Sequence, residues 1–160
     1  MDNLIEKNIV FRKLTEIDKE LFVKLRMAYL TDEHTINEPE KKQIENNLKS
    51  YFDEHIFKND FIGMVCEYNG EVISAAYLII SERPSNPNFI NGKTGTLINV
   101  YTYPEYRKKG IAAKLIKEII NEAKKADISM INLQATNNGY NVYKKLGFKD
   151  SECKSMNMKI

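Results

Sequence analysis

The chain has 160 residues, 42% of them hydrophobic and 29% charged, which suits one domain with a single core and excludes a wholly disordered or fibrous protein. Lys and Arg number 24 and Asp and Glu number 22, for a formal net charge of +2, too small to indicate nucleic acid or an anionic membrane as the main partner. We therefore expect a single domain over residues 1–160, with no nucleic-acid or membrane partner and only local electrostatic recognition.

Cysteine and histidine are too sparse in this sequence for a disulfide framework or a metal site. Cys66 and Cys153 have no Cys-x-x-Cys spacing, and His34 and His55 lie apart in the chain, so we expect reduced thiols and no metal. The longest apolar runs, such as residues 75–80, are far shorter than the roughly 20 residues that span a bilayer. Because the N-terminus lacks the basic start and apolar run of a signal peptide, we expect a cytoplasmic protein.

The N-terminal third is predicted to contain one strand and two helices. Residues 8–12 form an apolar, β-prone run, which predicts a short strand. Thr15 followed by Asp18 resembles a helix cap with an acid in the first turn, and Asn37 followed by Pro39 marks a second helix start. Apolar residues at helical spacing then predict one buried face for each helix. They are Leu21, Phe22, Leu25, Tyr29 and Leu30 in the first helix and Ile44, Leu48, Tyr51 and Phe52 in the second.

The middle of the chain carries the firmest local signal, a β-hairpin. Residues 61–68 and 71–81 are strand-like runs separated by Asn69 and Gly70, the pair that supplies positive φ at both central positions of a type I′ turn. Residues 82–91 are rich in proline and asparagine, which predicts a loop.

A strand, a helix and another strand are predicted next. Residues 94–103 form the first of these strands, which Pro104 ends. The helix of about four turns that follows has one apolar face. This face contains Ile111, Leu115, Ile116, Ile119, Ile120 and Ala123. Residues 128–134 form the second strand, and two strands joined through a helix should lie parallel by a right-handed crossover.

The C-terminal residues are predicted to add a short helix and a final strand. The helix covers residues 140–146 and is stopped by Gly147, and the strand returns over residues 148–159. The complete order predicts an α/β fold, a single-domain mixed β-sheet of about six to seven strands with flanking helices.

Residues 107–112, Arg-Lys-Lys-Gly-Ile-Ala, have the features of an anion site. A turn at a helix start leaves backbone N–H groups unpaired at the positive end of the helix dipole. Gly110 lets the main chain approach a phosphate closely, and the three basic residues before it add positive charge. The segment is neither a P-loop nor a dinucleotide fingerprint, because Ile111 follows the glycine and the further glycines are missing. Similar turns occur in proteins that bind no phosphate, so the context must decide.

This context resembles the GNAT superfamily of acetyl-CoA-dependent N-acetyltransferases. The family signature, Arg or Gln followed by x-x-Gly-x-Gly or Ala, is matched by Arg107, Gly110 and Ala112. Residues 143–148 match the Tyr-x-x-x-Gly-Phe ending of the family's last helix, and the whole resemblance covers residues 94–148. It implies an acyl-CoA N-acyltransferase-like fold, in which a central parallel pair of strands splays apart and acetyl-CoA lies in the gap as a cosubstrate.

The resemblance also implies the site residues. Backbone groups at the end of the strand would pair with the pantetheine arm, the turn would hold the pyrophosphate, and Tyr143 would protonate the departing thiolate. Ordinary packing is the alternative for Tyr101 and for Tyr143. The implied cofactor-binding residues are Val100, Tyr101, Thr102, Arg107, Lys108, Lys109, Gly110, Ile111, Ala112, Ala113 and Thr136.

The implied function is transfer of an acetyl group from acetyl-CoA to a primary amine of a small molecule or peptide, by direct attack in a ternary complex. The general base stays open between Glu67 and a water chain, because residues 97–99 contain no acid where several family members carry one. A covalent intermediate on a cysteine is disfavoured, since neither cysteine has a nearby histidine in the sequence. The alternative functions are a catalytically silent acyl-CoA sensor and a protein whose basic turn contacts nucleic acid.

The acceptor amine is the least determined part of this interpretation. By family analogy, the region around residues 26–37 should form the other wall of the site. Asp32, Glu33 and Glu38 in or beside that wall favour a cationic amine, with a solvated acidic surface as the alternative. A monomer and a homodimer both remain open.

Overall fold

The computed structural model describes residues 8–160, which form five strands and four α-helices. In chain order these are β1 (Ile9–Lys13), α1 (Lys19–Glu33), α2 (Glu38–His55), β2 (Phe61–Tyr68), β3 (Glu71–Glu82), β4 (Lys93–Thr102), α3 (Ile111–Lys125), β5 (Met130–Leu133) and α4 (Tyr140–Lys145). Single 3-10 turns precede α1 at Glu16–Asp18 and follow β4 at Pro104–Tyr106.

The strands form one mixed sheet in the order β1-β2-β3-β4-β5, antiparallel from β1 to β4 and parallel between β4 and β5. The predicted hairpin is confirmed, since β2 pairs with β3 and the turn residues Asn69 and Gly70 have φ of 51° and 82°. The predicted parallel pair is also confirmed, because α3 connects β4 to β5.

The predicted final strand is wrong, and with it the expected six to seven strands. Residues 149–160 have no regular secondary structure, and the described residues form five strands. A strand would place Met156 and Met158 on one face, but these side chains are 91% and 82% exposed. Without a paired edge or an apolar surface to cover, a strand has nothing to stabilise it. Instead, Tyr140 Oη and Lys144 Nζ on α4 hold the Asp150 carboxylate at 2.8 and 3.1 Å.

Helices cover both faces of the sheet. On one face, the apolar side of α3 is buried against β2, β3 and β4, as its helical spacing predicted. On the other face, α1 and α2 pack over an aromatic cluster, in which the rings of Phe52 and Phe61 lie 5.1 and 5.7 Å from the ring of Phe22. The sheet is therefore a central layer whose β4–β5 end is approached by α1 on one side and by α3 on the other.

The starts of the first two helices are fixed by polar side chains, as predicted. Asn37 Oδ1 accepts a hydrogen bond from Glu40 N at 2.9 Å, and Glu40 Oε2 accepts one from Asn37 N at 3.1 Å, which is a capping box at the start of α2. Ahead of α1, Asp18 Oδ2 accepts hydrogen bonds from Thr15 N and Thr15 Oγ1 at 2.8 and 3.0 Å across the 3-10 turn. Arg12 Nη1 and Nη2, which the prediction did not include, donate to the same carboxylate at 2.8 and 3.0 Å. Of the helices formed by residues 8–160, none combines the length and the apolar character needed to cross a membrane.

Candidate functional site

A β-bulge in β4 marks the centre of the candidate site. Between the pairs Tyr77↔Ile98 and Ala75↔Tyr101, β4 advances by one residue more than β3. Asn99 lies in this irregularity with φ of 53°, a left-handed conformation that asparagine tolerates better than most residues. A bulge bends the strand and redirects its edge, and here it lies where the partner strand β5 ends.

The parallel pair opens beyond this point. Pairing between β4 and β5 ends at Leu97↔Leu133, whereas β4 continues to Thr102. Tyr103 N donates to Ile73 O on β3 at 3.0 Å, and peptide groups alternate in direction along a strand, so those of Thr102 face the side that β5 has left. The C-terminal end of β4, residues 98–102, therefore has an edge that β5 does not pair with.

The turn between β4 and α3 brings the start of the helix to the same edge. Lys108 and Gly110 have positive φ, 61° and 73°, which turns the chain sharply before α3 begins at Ile111. Lys114 N makes the first helical hydrogen bond, to Gly110 O at 3.2 Å, so the N–H groups of residues 111–113 have no partner within the helix. A Cβ built on Gly110 would meet nothing within 4 Å. The residues present thus fit an anion on the open side of this turn.

Two of the three basic side chains in the turn are engaged elsewhere. Arg107 Nε donates to Thr102 O at 2.8 Å, and its guanidinium pairs with Asp32 at the end of α1. Lys109 Nζ donates to Glu105 O at 3.0 Å. Arg107 therefore braces α1 against the edge of β4. Lys108 is exposed, and Lys109 keeps its charge because its partner is a neutral carbonyl, so both add to the positive potential of the helix start.

The remaining predicted cofactor residues lie on both sides of the gap. Val100 packs towards α3, whereas Tyr101 is buried and its ring lies 5.2 Å from that of Tyr103. The carbonyl of Tyr101 accepts a hydrogen bond from Ser74 Oγ at 2.7 Å, so this peptide group faces β3. Thr136 lies beyond the end of β5, where its Oγ1 accepts a hydrogen bond from Gly139 N at 3.3 Å.

Tyr143 on α4 packs against the core cluster that contains the apolar side of α3. Its ring packs edge-on against Phe148 at 5.8 Å, and a Cβ on Gly139 would lie 3.0 Å from the same ring, so the glycine makes room for it. Burial, together with the nearby Tyr29, raises the pKa of Tyr143 to about 12. No hydrogen bond from residues 8–160 engages its hydroxyl. At neutral pH Tyr143 is therefore a protonated phenol with a free donor.

Two polar residues in this region carry no role in the sequence-based prediction. Arg26 of α1 lies half-buried between the buried Leu25 and Met27, and Asn99 is 2% exposed. Arg26 Nη1 donates to Asn99 Oδ1 at 3.4 Å. A cation inside an apolar helix stripe and an amide inside an apolar strand are visible in the sequence, but their contact is not.

The other residues considered as bases or nucleophiles are occupied or inert. Glu67 Oε1 accepts a hydrogen bond from Arg12 Nε at 2.6 Å, which ties it to β1. Cys66 is fully buried, and burial with the nearby Glu67 carboxylate raises its pKa to about 11, so it stays a thiol at neutral pH. Asp32, predicted to attract a cationic amine, is paired with Arg107.

A cavity of about 610 Å³ lies beside this site and is lined by parts of α1, the β2–β3 turn and residues 103–106. None of the predicted cofactor-binding residues lines it. Within the described part of the chain, His, Cys, Asp and Glu side chains form no group of three or more that could hold a metal ion. The unpaired edge of β4 and the start of α3 therefore remain the arrangement best suited to a ligand.

Comparisons with known proteins agree with this geometry. Residues 23–148 match the model of the acetyltransferase (GNAT) family. A crystal structure of a predicted acetyltransferase with acetyl-CoA from Clostridium acetobutylicum is 31% identical, covers 93% of this chain and 96% of its own, and superposes with a TM-score of 0.83. No curated protein matches the sequence.

More distant structures share the fold. A GCN5-related N-acetyltransferase from Ralstonia eutropha JMP134 is 22% identical, with coverage of 94% of this chain and 98% of its own and a TM-score of 0.81. Glucosamine-6-phosphate N-acetyltransferase from Arabidopsis thaliana is 15% identical, with coverage of 94% and 97% and a TM-score of 0.69. The resemblance stated from the sequence is thus confirmed, and the chain belongs to the GNAT family of acetyltransferases.

Proposed function

We propose that the protein transfers an acetyl group from acetyl-CoA to a primary amine of a small molecule or peptide, by direct attack in a ternary complex. One observation carries the proposal: the unpaired edge of β4 ends beside the start of α3, whose first N–H groups lie next to the left-handed Gly110. The pantetheine arm would pair with the edge as an added strand, and the pyrophosphate would lie at the helix start. The 31% identical relative with acetyl-CoA supports this assignment.

In this proposal the cofactor contacts fall into three groups. Val100, Tyr101 and Thr102 border the pantetheine arm, and Thr136 borders it from the far side of the gap. Residues 107–113 surround the pyrophosphate. Because Tyr101 directs its carbonyl to β3 and the carbonyl of Thr102 accepts a hydrogen bond from Arg107, the N–H of Thr102 is the backbone group that best suits pairing with the arm.

The chemistry requires a neutral amine, a thioester and a proton for the departing thiolate. The amine nitrogen attacks the thioester carbonyl, a C–N bond forms as the C–S bond breaks, and the amine loses one proton as the thiolate gains one. Tyr143 is the proposed donor, since its pKa of about 12 keeps it protonated. Full transfer of the Tyr143 proton to the thiolate is unfavourable, because the pKa of a thiol, near 8.5, lies roughly 3.5 pKa units below that of Tyr143. We therefore assign Tyr143 a hydrogen bond that stabilises the developing thiolate, with the amine proton completing the exchange.

The proton leaving the amine would pass to water. No acidic residue lies between residues 97 and 102, and Glu67 is held by Arg12. A water chain along the gap is therefore the proposed base. The same lack of a carboxylate favours the alternative function, a catalytically silent acyl-CoA-binding module that keeps the turn without turnover.

An acetylation screen separates the two functions. The purified protein is incubated with acetyl-CoA and a panel of amino acids, polyamines, aminoglycosides and peptides with free N-termini, and CoA release is measured for each acceptor. Acceptor-dependent release together with an acetylated product supports the enzyme. Saturable CoA binding without release for any acceptor supports the silent module, and binding of RNA or DNA without CoA binding contradicts both.

A further inference from the structure

Arg26 is a half-buried cation without a carboxylate partner among residues 8–160. Its guanidinium makes one long hydrogen bond, to Asn99 Oδ1 at 3.4 Å, and stands 5.4 Å from the ring centre of Tyr29. Burial lowers the pKa of Arg26, which reflects the cost of removing its charge from water. A guanidinium has several N–H donors and no acceptor, so most of its bonding capacity at this position is unused.

Asn99 is the buried residue that contacts this guanidinium. Its side chain is almost completely buried, and its Nδ2 has no hydrogen-bond partner in the described residues. The orientation of the amide is set by Arg26, because the opposite orientation would turn the amide N–H groups towards a cation. A buried N–H without a partner costs free energy, and this one lies in the bulge where β4 and β5 separate.

The position of Arg26 relates it to the proposed chemistry. Tyr29, one helical turn along α1, contacts the Arg26 guanidinium and lies close enough to Tyr143 to influence its pKa. Arg26 thus joins α1 to the bulge of β4 at the point where the pairing with β5 has ended. Asp32, further along the same helix, is paired with Arg107, so its charge is already balanced.

We propose that the acceptor is a primary amine that also carries a carboxylate, held by the guanidinium of Arg26. The planar fork of a guanidinium matches the two oxygens of a carboxylate in a bidentate pair. Such a ligand would offset the cost of burying a cation that has no carboxylate partner among the described residues. The inference rests on the proposed acetyl transfer and names its substrate class. It replaces the preference for a cationic amine that the acidic residues of the sequence suggested.

Matched acceptor pairs test the charge directly. Glycine, L-leucine and L-phenylalanine are compared with their amides, and rates are expressed per concentration of neutral amine. The wild type should show kcat/KM at least about tenfold higher for the acids, because a charge-assisted pair is lost in the amides. O-phosphoethanolamine and ethanolamine form a further pair, and a preference for the phosphate exceeding that for every carboxylate would overturn the assignment.

Arg26→Met keeps the aliphatic stem and removes the charge. It should lower kcat/KM for the acids by about 10- to 100-fold, mainly through KM, and leave the amides within about threefold. Lys24→Met removes a positive charge from the exposed side of the same helix and should leave both series unchanged. An equal loss for acids and amides in Arg26→Met would contradict the proposal.

Asn99→Asp provides a second test that does not depend on removing Arg26. Aspartate tolerates the left-handed conformation and places a carboxylate beside the guanidinium, so the protein should fold and its preference for acids should vanish. An undiminished preference in Asn99→Asp contradicts the proposal.

A binding measurement separates failure of this inference from failure of acetyl transfer. With CoA present, the acids should raise the melting temperature of the wild type more than the amides do, and this difference should disappear in Arg26→Met. If the amino acids and their amides are acetylated at equal rates, recognition of a carboxylate by Arg26 is refuted, and acetyl transfer itself is not. If no acceptor is acetylated, the proposed catalysis fails. The larger rise in melting temperature with the amino acids than with their amides then supports the carboxylate site, and its absence refutes the site.

Discussion

Replacing Gly110 by Glu, with Gly110→Gln as the matched control, tests whether the phosphates of CoA lie at the start of α3. Gly110 has φ of 73°, and a Cβ there meets nothing within 4 Å, so neither variant should clash with its surroundings. Both should lose about 1–2 kcal/mol of folding free energy from the left-handed conformation. For a chain of this length that corresponds to a fall of roughly 2–8 °C in melting temperature.

The two variants differ only in charge, which isolates the effect on the ligand. A carboxylate about 6 Å from a doubly charged pyrophosphate repels it by about 1.4 kcal/mol in bulk water and about 5.5 kcal/mol at an effective dielectric constant of about 20. The Kd for CoA should therefore be at least about tenfold higher in Gly110→Glu than in Gly110→Gln.

Thermal shift with CoA measures this difference. At about 100 times its Kd, CoA should stabilise a variant by about 2.7 kcal/mol, and a tenfold weaker site at the same concentration should give about 1.4 kcal/mol. Equal shifts in Gly110→Glu and Gly110→Gln would show that the charge of CoA does not lie at this turn, and the reasoning from the helix start would be refuted.

Three further predictions follow from other parts of the structure. Tyr143→Phe keeps the ring against Phe148, so CoA binding should survive. Single-turnover acetylation should slow by about 10² to 10³, because the variant loses one hydrogen bond to the developing thiolate. A rate within about twofold of wild type would make Tyr143 a packing residue. Burial of Asp18 opposes its ionisation, but hydrogen bonds from Arg12 and Thr15 prevail and lower the pKa of Asp18. The ionised Asp18 carboxylate therefore stabilises the fold above a pH of about 4, and this stabilisation is lost as the pH falls through the lowered pKa. Acid unfolding should accordingly depend less on pH in Asp18→Asn, and an unchanged profile would contradict this. Deleting residues 151–160, which are exposed throughout, should change the free energy of unfolding by less than about 1 kcal/mol, and a larger loss in urea titration would mean that the tail forms the missing strand.

Local patterns were sufficient for much of the fold. The Asn69-Gly70 pair identified the hairpin because its two positive φ values are a property of the residues themselves. The apolar face of α3 and the strands on either side of it identified the parallel pair in the same way. The turn before α3 was also readable, since a left-handed glycine at a helix start leaves a recognisable sequence.

The remainder depended on contacts between distant residues. The final strand failed because its residues are strand-like in sequence but find no partner or apolar surface in the fold. The bulge at Asn99 arises from the pairing of β4 with β3, which no local pattern contains. Arg26 and Asn99 are 73 positions apart, and Arg107 and Asp32 are 75 apart. The engaged state of Arg107 and the unpaired charge of Arg26 therefore emerge only in three dimensions.

A crystal structure of the protein with CoA would show whether the cofactor lies along the edge of β4 and at the start of α3. We expect the pantetheine amides to pair with the open edge of β4 at residues 100–102, and the pyrophosphate to accept hydrogen bonds from the N–H groups of residues 111–113. The β-bulge at Asn99 should lie opposite the thiol end of the ligand. CoA bound instead in the cavity beside residues 103–106, with the edge of β4 unoccupied, would contradict the account.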